Sequence, residues 1–153
     1  GHVFLATQNL SRFEEFYTDV LGFVVSDYMS LDGNEIVFLH CNQRHHSVAA
    51  IEFHTAEKST AAGTLLHFML EAGELDDVGR IRERSENHGV PEWLTLGRHS
   101  NDHMVSFYLW APGRIAIEVG CEGRLIDDAT WQINKHFRDS FWGHREQREE
   151  DSE

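Results

Sequence analysis

The chain has 153 residues, of which 41% are hydrophobic, so it is long and apolar enough to form one globular domain with its own core. A formal net charge of −13 argues against nucleic acid or an anionic membrane surface as a partner. No apolar run approaches the roughly 18 residues that a membrane-spanning helix needs. The two cysteines, Cys41 and Cys121, form no paired motif, which fits a reducing, cytoplasmic compartment.

The first third of the chain predicts a strand, a helix and three further strands. Residues 2–6 have the composition of a strand, and Asn9 is placed to cap a helix over about 11–21. Apolar side chains recur along that helix at i, i+3, i+4, i+7 and i+8 from Phe13, and Gly22 follows where a left-handed C-terminal cap belongs. The next strands are predicted at about 23–29, 35–41 and 47–53.

The same order of elements returns in the second part of the chain. The stretch "TLLHFMLEA", from residue 64, predicts a strand, and a helix over about 75–87 follows with Gly89 as its cap. Three more strands are predicted at about 92–96, 103–110 and 115–120. The order β-α-β-β-β therefore occurs twice.

Two pairs of residues support an internal duplication. His2 and His67 lie 65 positions apart, each in the first strand of its unit, and Glu52 and Glu118 lie 66 positions apart in the last strands. We therefore expect an α+β fold of two βαβββ modules that pair into a half-open barrel around a central cavity. The modules are expected at about 1–56 and 64–122, followed by a C-terminal extension over 123–153.

The two ends of the chain carry separate expectations. The closing "REQREEDSE" is highly charged, which predicts a solvated or disordered tail. The opening "GHVFL" begins a strand at once. We therefore expect the chain to be a fragment of something longer.

Three polar residues interrupt strands that are otherwise apolar: His2, His67 and Glu118. Burying a carboxylate costs on the order of several kcal/mol unless it is paired or bound to a metal. Any one of them alone is more often a core histidine or a salt-bridged glutamate, but their matching places in a duplicated unit favour a shared site. Two imidazoles and one carboxylate on one side of a metal form the facial triad of non-haem Fe(II) oxygenases.

Two further stretches concentrate groups that carry protons. His45 and His46 are adjacent where the chain enters a predicted strand, so their side chains are expected on opposite faces, one toward the cavity and the other toward solvent. The stretch "LGRHSNDHMVSFY", residues 96–108, brings several polar side chains to the start of an apolar alternation. A surface turn with polar side chains would explain such a run, and so would the rim of an active site.

Taken together, these stretches resemble the catalytic C-terminal domain of type I extradiol ring-cleavage dioxygenases, members of the vicinal oxygen chelate superfamily. The resemblance covers nearly the whole chain and is carried by "FYTDVLGF", "LHCNQRHHS", "HFMLE", "LGRHSNDHMVSFY", "IEVG" and "FWGH". It is most evident with the 2,3-dihydroxybiphenyl 1,2-dioxygenases. The segment "IEVGCEGRLIDDATW" also resembles enzymes that cleave catechol-type rings of degraded steroids.

The resemblance implies a reaction and a set of residues for it. It implies an oxidoreductase that opens the ring of a catechol beside the diol with O2, and that assembles as a homo-oligomer. Two-domain members of the family carry an N-terminal copy of the same fold, so the resemblance implies a fragment that lacks its N-terminal domain, or else a single-domain member. The implied ligands of one Fe(II) are His2, His67 and Glu118. The implied catalytic residues are His46 as acid and base, His99 and Tyr108. The residues implied to line the pocket and orient their neighbours are Asn101 and Asp102.

One departure and two alternatives accompany this interpretation. The family usually has glycine where "APGR" places Arg114, so the turn before Glu118 is expected to shift that residue slightly. A glyoxalase-like metal-dependent isomerase would use four ligands, with Glu52 joining the other three. A small-molecule-binding protein of the same superfamily would need no metal triad at all.

Overall fold

The computed structural model describes residues 1–55 and 63–147, and within them the strand–helix–strand–strand–strand order occurs twice. The first unit comprises β1 (Val3–Thr7), α1 (Leu10–Glu15), a π-helix (Phe16–Val20), β2 (Val24–Leu31), β3 (Asn34–His40) and β4 (Val48–Glu52). The second comprises β5 (Leu65–Glu71), α2 (Leu75–Asn87), β6 (Glu92–His99), β7 (Val105–Ala111) and β8 (Ile115–Cys121). The C-terminal extension adds β9 (Lys135–His136) and β10 (Ser140–Trp142).

The strands form one sheet in the order β10-β6-β7-β8-β5-β1-β4-β3-β2-β9. The two units meet at the centre, where β1 and β5 pair antiparallel. Within the units, β1 pairs parallel with β4, and β5 pairs parallel with β8. The sheet is not closed. This arrangement confirms the predicted α+β architecture of paired units in a half-open sheet.

The helices cover one face of the sheet, and the other face is left to line a cavity. Because side chains alternate along a strand, Val37 and Leu39 of β3 pack under α1 while Ile36 and Phe38 point to the opposite face. In the second unit, Phe107 of β7 packs with residues of α2 and β8 in the same manner. Each fully buried apolar side chain of this kind stabilises the fold by about 1.5–3 kcal/mol.

The first helix differs from its prediction. Asn9 caps it as expected, since its side chain accepts a hydrogen bond from the backbone N–H of Arg12 at 2.9 Å. The predicted single helix over 11–21 is instead a short α-helix that continues as a π-helix. The hydroxyl of Thr18 donates to the Glu14 carbonyl at 3.0 Å and so competes with the regular backbone ladder. Gly22, with a φ of 75°, ends the helix as predicted.

The turn between β7 and β8 keeps the last strand in register. Gly113 and Arg114 both have left-handed backbone conformations, with φ values of 85° and 61°. The pairing of β7 with β8 nevertheless runs without an irregularity from Ala111 opposite Ile115 onward. It places Tyr108 and Glu118 opposite each other. The turn sequence "APGR" is therefore compatible with regular pairing next to the site.

The C-terminal extension binds both ends of the sheet. In it, β9 pairs with β2 and β10 pairs with β6. The described residues of the predicted charged tail, 145–147, are exposed, and the backbone N–H of Gln147 donates to the carbonyl of Trp93 in β6 at 2.8 Å. Residues 148–153 of that tail lie outside the described residues. Across residues 1–55 and 63–147, none of the helices has the length and apolarity needed to cross a membrane.

Candidate metal centre and active-site cavity

Three neighbouring strands bring His2, His67 and Glu118 to one buried point. His2 directly precedes β1, His67 lies in β5 and Glu118 lies in β8, and these strands pair side by side. The Nε2 atoms of the two histidines are 3.2 Å apart. The Oε2 atom of Glu118 is 3.1 Å from Nε2 of His2 and 3.4 Å from Nε2 of His67. The structure therefore brings together the three residues that were singled out as ligands.

The surroundings of Glu118 fit a divalent metal ion. Both of its carboxylate oxygens are buried, and among the described residues neither has a partner with hydrogen-bond geometry. Leaving a buried carboxylate in this state is costly unless an ion binds it. Two donors bonded to one ion at about 2.1 Å, and set about 90–110° apart, lie about 3.0–3.4 Å from each other. The observed separations match this spacing.

The ionisation of the ligand residues also suits a metal. Burial favours the neutral acid, but the imidazoles of His2, His67 and His99 more than offset it and hold the pKa of Glu118 well below its usual range. Burial lowers the pKa of His67. A carboxylate anion and a neutral imidazole are the forms that bind metals.

A cavity opens beside this cluster and has two different walls. The first unit supplies an apolar wall made of Phe4, Met29, Ile36, Phe38 and Ala49. The polar wall contains the side chains implied by the sequence resemblance, namely His46, His99, Asn101, Asp102 and Tyr108, together with Asp139 of the extension. The cavity thus joins an apolar surface for a ring with groups that exchange protons.

His99 and Tyr108 form a hydrogen-bonded pair beside Glu118. The Nε2 atom of His99 is 2.9 Å from the Tyr108 hydroxyl and 3.5 Å from Oε1 of Glu118. Burial disfavours a charge on His99, yet hydrogen bonding and charge from Asp139 and Glu118 raise its pKa well above the usual range. Burial and the Glu118 charge raise the pKa of Tyr108, so its phenol stays protonated and can donate a hydrogen bond.

His46 lines the cavity next to the proposed ligands. Its ring lies against that of His2, with 4.0 Å between the ring centroids. Burial, the largest cause, holds the pKa of His46 well below the usual range. The side chain is therefore neutral at physiological pH and has a nitrogen free to accept a proton.

The expectation that the neighbour of His46 faces solvent was wrong. His45 is only 1% exposed, and its Nε2 lies 3.0 Å from Oδ2 of Asp27. The two histidines lie in the loop before β4 and not within a strand. The alternation of side chains between two faces, which holds in a strand, therefore does not apply to them.

Asn101 and Asp102 lie buried in the loop between β6 and β7. The Oδ1 atom of Asp102 accepts a hydrogen bond from the backbone N–H of Met104 at 2.9 Å, and its Oδ2 is 3.8 Å from Nδ1 of His46. The carbonyl of Asn101 accepts a hydrogen bond from Arg124 at 3.3 Å. These contacts fix the loop at the rim of the cavity.

Glu52 lies away from the cluster. Its Oε2 accepts a hydrogen bond from the backbone N–H of Leu10 at 2.7 Å, at the start of α1. In the part of the chain that the structure describes, three groups of side chains have ligand atoms within 4.8 Å of one another, and Glu52 belongs to none of them, including the group of His2, His67 and Glu118. The four-ligand arrangement of a glyoxalase-like isomerase is therefore not formed by these residues.

Two residues of the extension were not singled out from the sequence. Oδ1 of Asp139 lies 3.4 Å from Nδ1 of His99, and the ring of His144 stacks on that of His99 at 4.0 Å. A carboxylate and an imidazole within the aromatic stretch "RDSFWGH" were the available signal. Asp27 offered another, because it is an acidic residue in the apolar alternation of "VVSDYMS".

Paired βαβββ units with two imidazoles and a carboxylate at one buried point define a protein able to hold a divalent metal beside a substrate cavity. The model of the Glyoxalase/Bleomycin resistance protein/Dioxygenase superfamily matches residues 1–119. The chain belongs to this superfamily.

Several proteins similar to this chain are named as dioxygenases. The chain is 39% identical to a biphenyl-2,3-diol 1,2-dioxygenase of Paraburkholderia xenovorans (strain LB400), over 97% of this chain and 49% of that protein. It is 40% identical to an iron-dependent extradiol dioxygenase of Rhodococcus jostii (strain RHA1), over 94% of this chain and 50% of that protein. The crystal structure of a 2,2',3-trihydroxybiphenyl 1,2-dioxygenase from Sphingomonas wittichii strain RW1 superposes with a TM-score of 0.87 at 36% identity, covering 96% of this chain and 50% of that one. The chain spans about half the length of these relatives.

Proposed function

We propose that the chain is the catalytic half of a two-domain extradiol dioxygenase, which opens the ring of a catechol with O2 at a non-haem Fe(II). The observation that carries the proposal is the buried Glu118 carboxylate, which faces two imidazoles and has no hydrogen-bond partner among the described residues. Similarity to an iron-dependent extradiol dioxygenase supports iron as the metal. Similarity to biphenyl-2,3-diol dioxygenases supports an aryl-substituted catechol as the substrate class.

In this proposal His2, His67 and Glu118 hold the iron. When bound, Fe(II) supplies open positions for the diol and dioxygen on one side and a route for electrons between them. The protein fixes the three ligands on adjacent strands of one sheet, so their donor atoms are held in place before metal binds. The strand pairing that does so joins both units of the fold.

The two walls of the cavity orient the substrate. The aromatic ring and its substituent lie against the apolar wall of the first unit, which excludes water from the reacting face. The Tyr108 phenol, protonated because of its raised pKa, donates a hydrogen bond to the catechol oxygen that stays anionic. His99 holds that phenol through the 2.9 Å contact between its Nε2 and the hydroxyl.

Proton transfer is assigned to His46. Its neutral imidazole lies beside His2 at the cavity, where it accepts a proton from a substrate hydroxyl and returns it later in the reaction. Asn101 and Asp102 position the loop at the rim of the cavity, and Oδ2 of Asp102 lies 3.8 Å from Nδ1 of His46, beyond hydrogen-bond distance.

Anaerobic loading of the chain with Fe(II), followed by a panel of catechols and air, tests the function. We expect equal amounts of O2 consumed and coloured ring-opened product formed with 2,3-dihydroxybiphenyl, and neither with Zn(II) in place of iron. A chain that holds iron yet consumes no O2 with any catechol would contradict the proposal. Isomerisation of a hemithioacetal to a thioester, in a separate assay without catechol, would instead support a glyoxalase-like activity.

We also propose that the chain forms a homo-oligomer and is located in the cytoplasm. Large apolar side chains exposed in the extension support a homo-oligomer, among them Ile133, Phe137, Phe141 and Trp142. Cys41 is exposed and Cys121 is buried, and both are free thiols, which fits the reducing cytoplasm. Light scattering of the purified chain measures its assembly, and a molar mass of one chain at all concentrations would contradict it.

A further inference from the structure

A fully buried carboxylate lies behind the cavity, outside its lining. Asp27 of β2 is 0% exposed. Its Oδ2 lies 3.0 Å from Nε2 of His45 and 3.1 Å from Nε2 of His136 in β9. Its Oδ1 accepts a hydrogen bond from the backbone N–H of Asn134 at 2.6 Å. Both oxygens of Asp27 therefore have donors, in contrast to those of Glu118.

His45 connects this carboxylate to the cavity. Its Nε2 contacts Asp27, and its Nδ1 lies 3.1 Å from Nδ1 of His46. The rings of Phe38 and Trp131 enclose it at centroid distances of 5.9 and 5.5 Å. A continuous row of contacts thus runs from Asp27 through His45 to the imidazole that lines the cavity.

The protons along this row follow from which atoms can donate. Burial favours the neutral acid, but hydrogen bonds from His45, Asn134 and His136 outweigh it and lower the pKa of Asp27. The carboxylate is therefore ionised and only accepts, so Nε2 of His45 carries a proton. The Nδ1 atom of a neutral His45 then has no proton and accepts from Nδ1–H of His46. The remaining nitrogen of His46, Nε2, is left with its lone pair.

We propose that Asp27 and His45 are positioning residues that select one tautomer of His46, with the proton on Nδ1 and the lone pair on Nε2 toward the cavity. This inference rests on the proposed function, in which His46 accepts a proton from the catechol, and it names the groups that prepare His46 for that role. When Nε2 takes the proton, the Nδ1–H of His46 stays bonded to His45. The Asp27 carboxylate then stabilises the positive charge through His45.

One substitution is expected to reverse the tautomers. In Asp27→Asn, the backbone N–H of Asn134 still needs an acceptor. The amide oxygen of the new side chain therefore takes the place of Oδ1, and its NH2 group takes the place of Oδ2 and faces His45. An NH2 group donates, so Nε2 of His45 has to lose its proton and Nδ1 has to gain one. His45 then donates to Nδ1 of His46, whose proton moves to Nε2. The lone pair no longer faces the cavity.

Nitrogen NMR of the histidine rings reads these states directly. The full chain is labelled with 15N-histidine and kept free of iron so that it is diamagnetic, and resonances are assigned with His45→Gln and His46→Gln. We expect unprotonated Nδ1 on His45 and unprotonated Nε2 on His46 in the wild type, with both reversed in Asp27→Asn. The matched control is Asp128→Asn, which alters the carboxylate that contacts His40 at 2.8 Å and should leave both rings unchanged.

Turnover of the iron-loaded chain supplies the second measurement. Asp27→Asn should lower kcat for 2,3-dihydroxybiphenyl by about 10–100-fold, with iron content and KM retained, and Asp128→Asn should have no such effect. A doubly protonated His45, or an Nε2 proton on His46, in the wild type would overturn the inference even if no Asp27 variant folds. Unreversed rings in a folded Asp27→Asn would overturn it as well. A wild type with the expected tautomers that cleaves no catechol would overturn the proposed function instead.

Discussion

At the scale of single residues, the site depends on whether buried polar atoms face hydrogen-bond donors or each other. The oxygens of Glu118 face imidazole nitrogens without hydrogen-bond geometry, whereas those of Asp27 each have a donor. The first arrangement leaves room for an ion, and the second leaves none. This distinction separates a candidate ligand from a supporting carboxylate in the same sheet.

Removal of a proposed ligand tests the metal site. We expect His67→Ala to reduce affinity for Fe(II) by more than about 100-fold, beyond the 10–100-fold typical of a supporting residue, because only two donors remain. Metal analysis after anaerobic loading measures this. Glu52→Gln is the control and should retain its iron, because Glu52 bonds the start of α1. Full iron content in His67→Ala would refute the ligand assignment.

Removal of the proposed acid and base should separate binding from chemistry. His46→Phe keeps a planar ring against His2 but has no nitrogen to accept a proton. Turnover should fall by about 10²–10⁴-fold, the usual range for a lost general acid or base, while iron stays bound. Steady-state kinetics with metal analysis checks both parts. Loss of iron in this variant would instead make His46 a ligand.

At the scale of elements, regular periodicity decided what could be predicted. The helix expected over 75–87 is observed at Leu75–Asn87, because its apolar spacing and its glycine cap are local signals. The strands β9 and β10 have only two and three residues, and no pattern of their own. They form because the edges of β2 and β6 offer unpaired backbone groups. The paired strands are far apart in sequence, so no local pattern predicts this pairing.

The residues of the site, like the elements, could be predicted only where they lie in regular strands. Residues in strands, such as His67 and Glu118, were found because a polar side chain stands out in an apolar alternation. His45 was misplaced because its loop obeys no such alternation. The contacts of Asp139 and His144 with His99 depend on the fold of the extension, which no local pattern encodes.

The extension should lose part of its anchorage in acid. Burial favours neutral Asp139, but the hydrogen bond and charge of His99 lower the pKa of Asp139 from 3.8 to about 2. Because the folded pKa lies below the unfolded one, the resulting stability is fully present above pH 3.8 and is lost as pH falls toward about 2. Urea unfolding at a series of pH values, for wild type and Asp139→Asn, should give a difference that shrinks through this window.

A substitution on α2 provides the comparison for this experiment. Asp76 lies in the first turn of α2 with its side chain exposed and 3.8 Å from Arg80, so Asp76→Asn shows how much stability the removal of a surface carboxylate without His99 changes at each pH. A stability difference for Asp139→Asn that stays constant down to about pH 2 would contradict the assigned role of His99 in lowering that pKa.

At the scale of the whole molecule, the proposed metal site joins the two units. His2 comes from the first unit, and His67 and Glu118 come from the second, so a bound ion links them across the pairing of β1 with β5. The ion is expected to bind the folded chain only, because the three residues lie far apart in sequence. Metal binding and global stability are therefore coupled.

Thermal unfolding measures this coupling. Fe(II) added anaerobically at about 100 times its dissociation constant should stabilise the chain by about 2.7 kcal/mol, and a chelator should reverse the effect. Glu118→Gln, which cannot offer an anionic ligand, should show no shift with iron. An equal shift in that variant would mean that iron stabilises the chain at some other place.

The two walls of the cavity also have a consequence for how the protein can change over generations. The apolar wall comes entirely from the first unit, while His99, Asn101, Asp102 and Tyr108 come from the second. The residues that contact the ring and most of the residues that transfer protons or donate hydrogen bonds are therefore encoded in separate stretches of the gene. Under the proposed function, a mutational library confined to Met29, Ile36 and Ala49 would vary which rings are accepted and leave the reaction chemistry untouched. Recombination between related genes, with a crossover between the two units, would exchange the apolar wall together with His2 and His46, and would keep His99, Asn101, Asp102 and Tyr108 together as the other block.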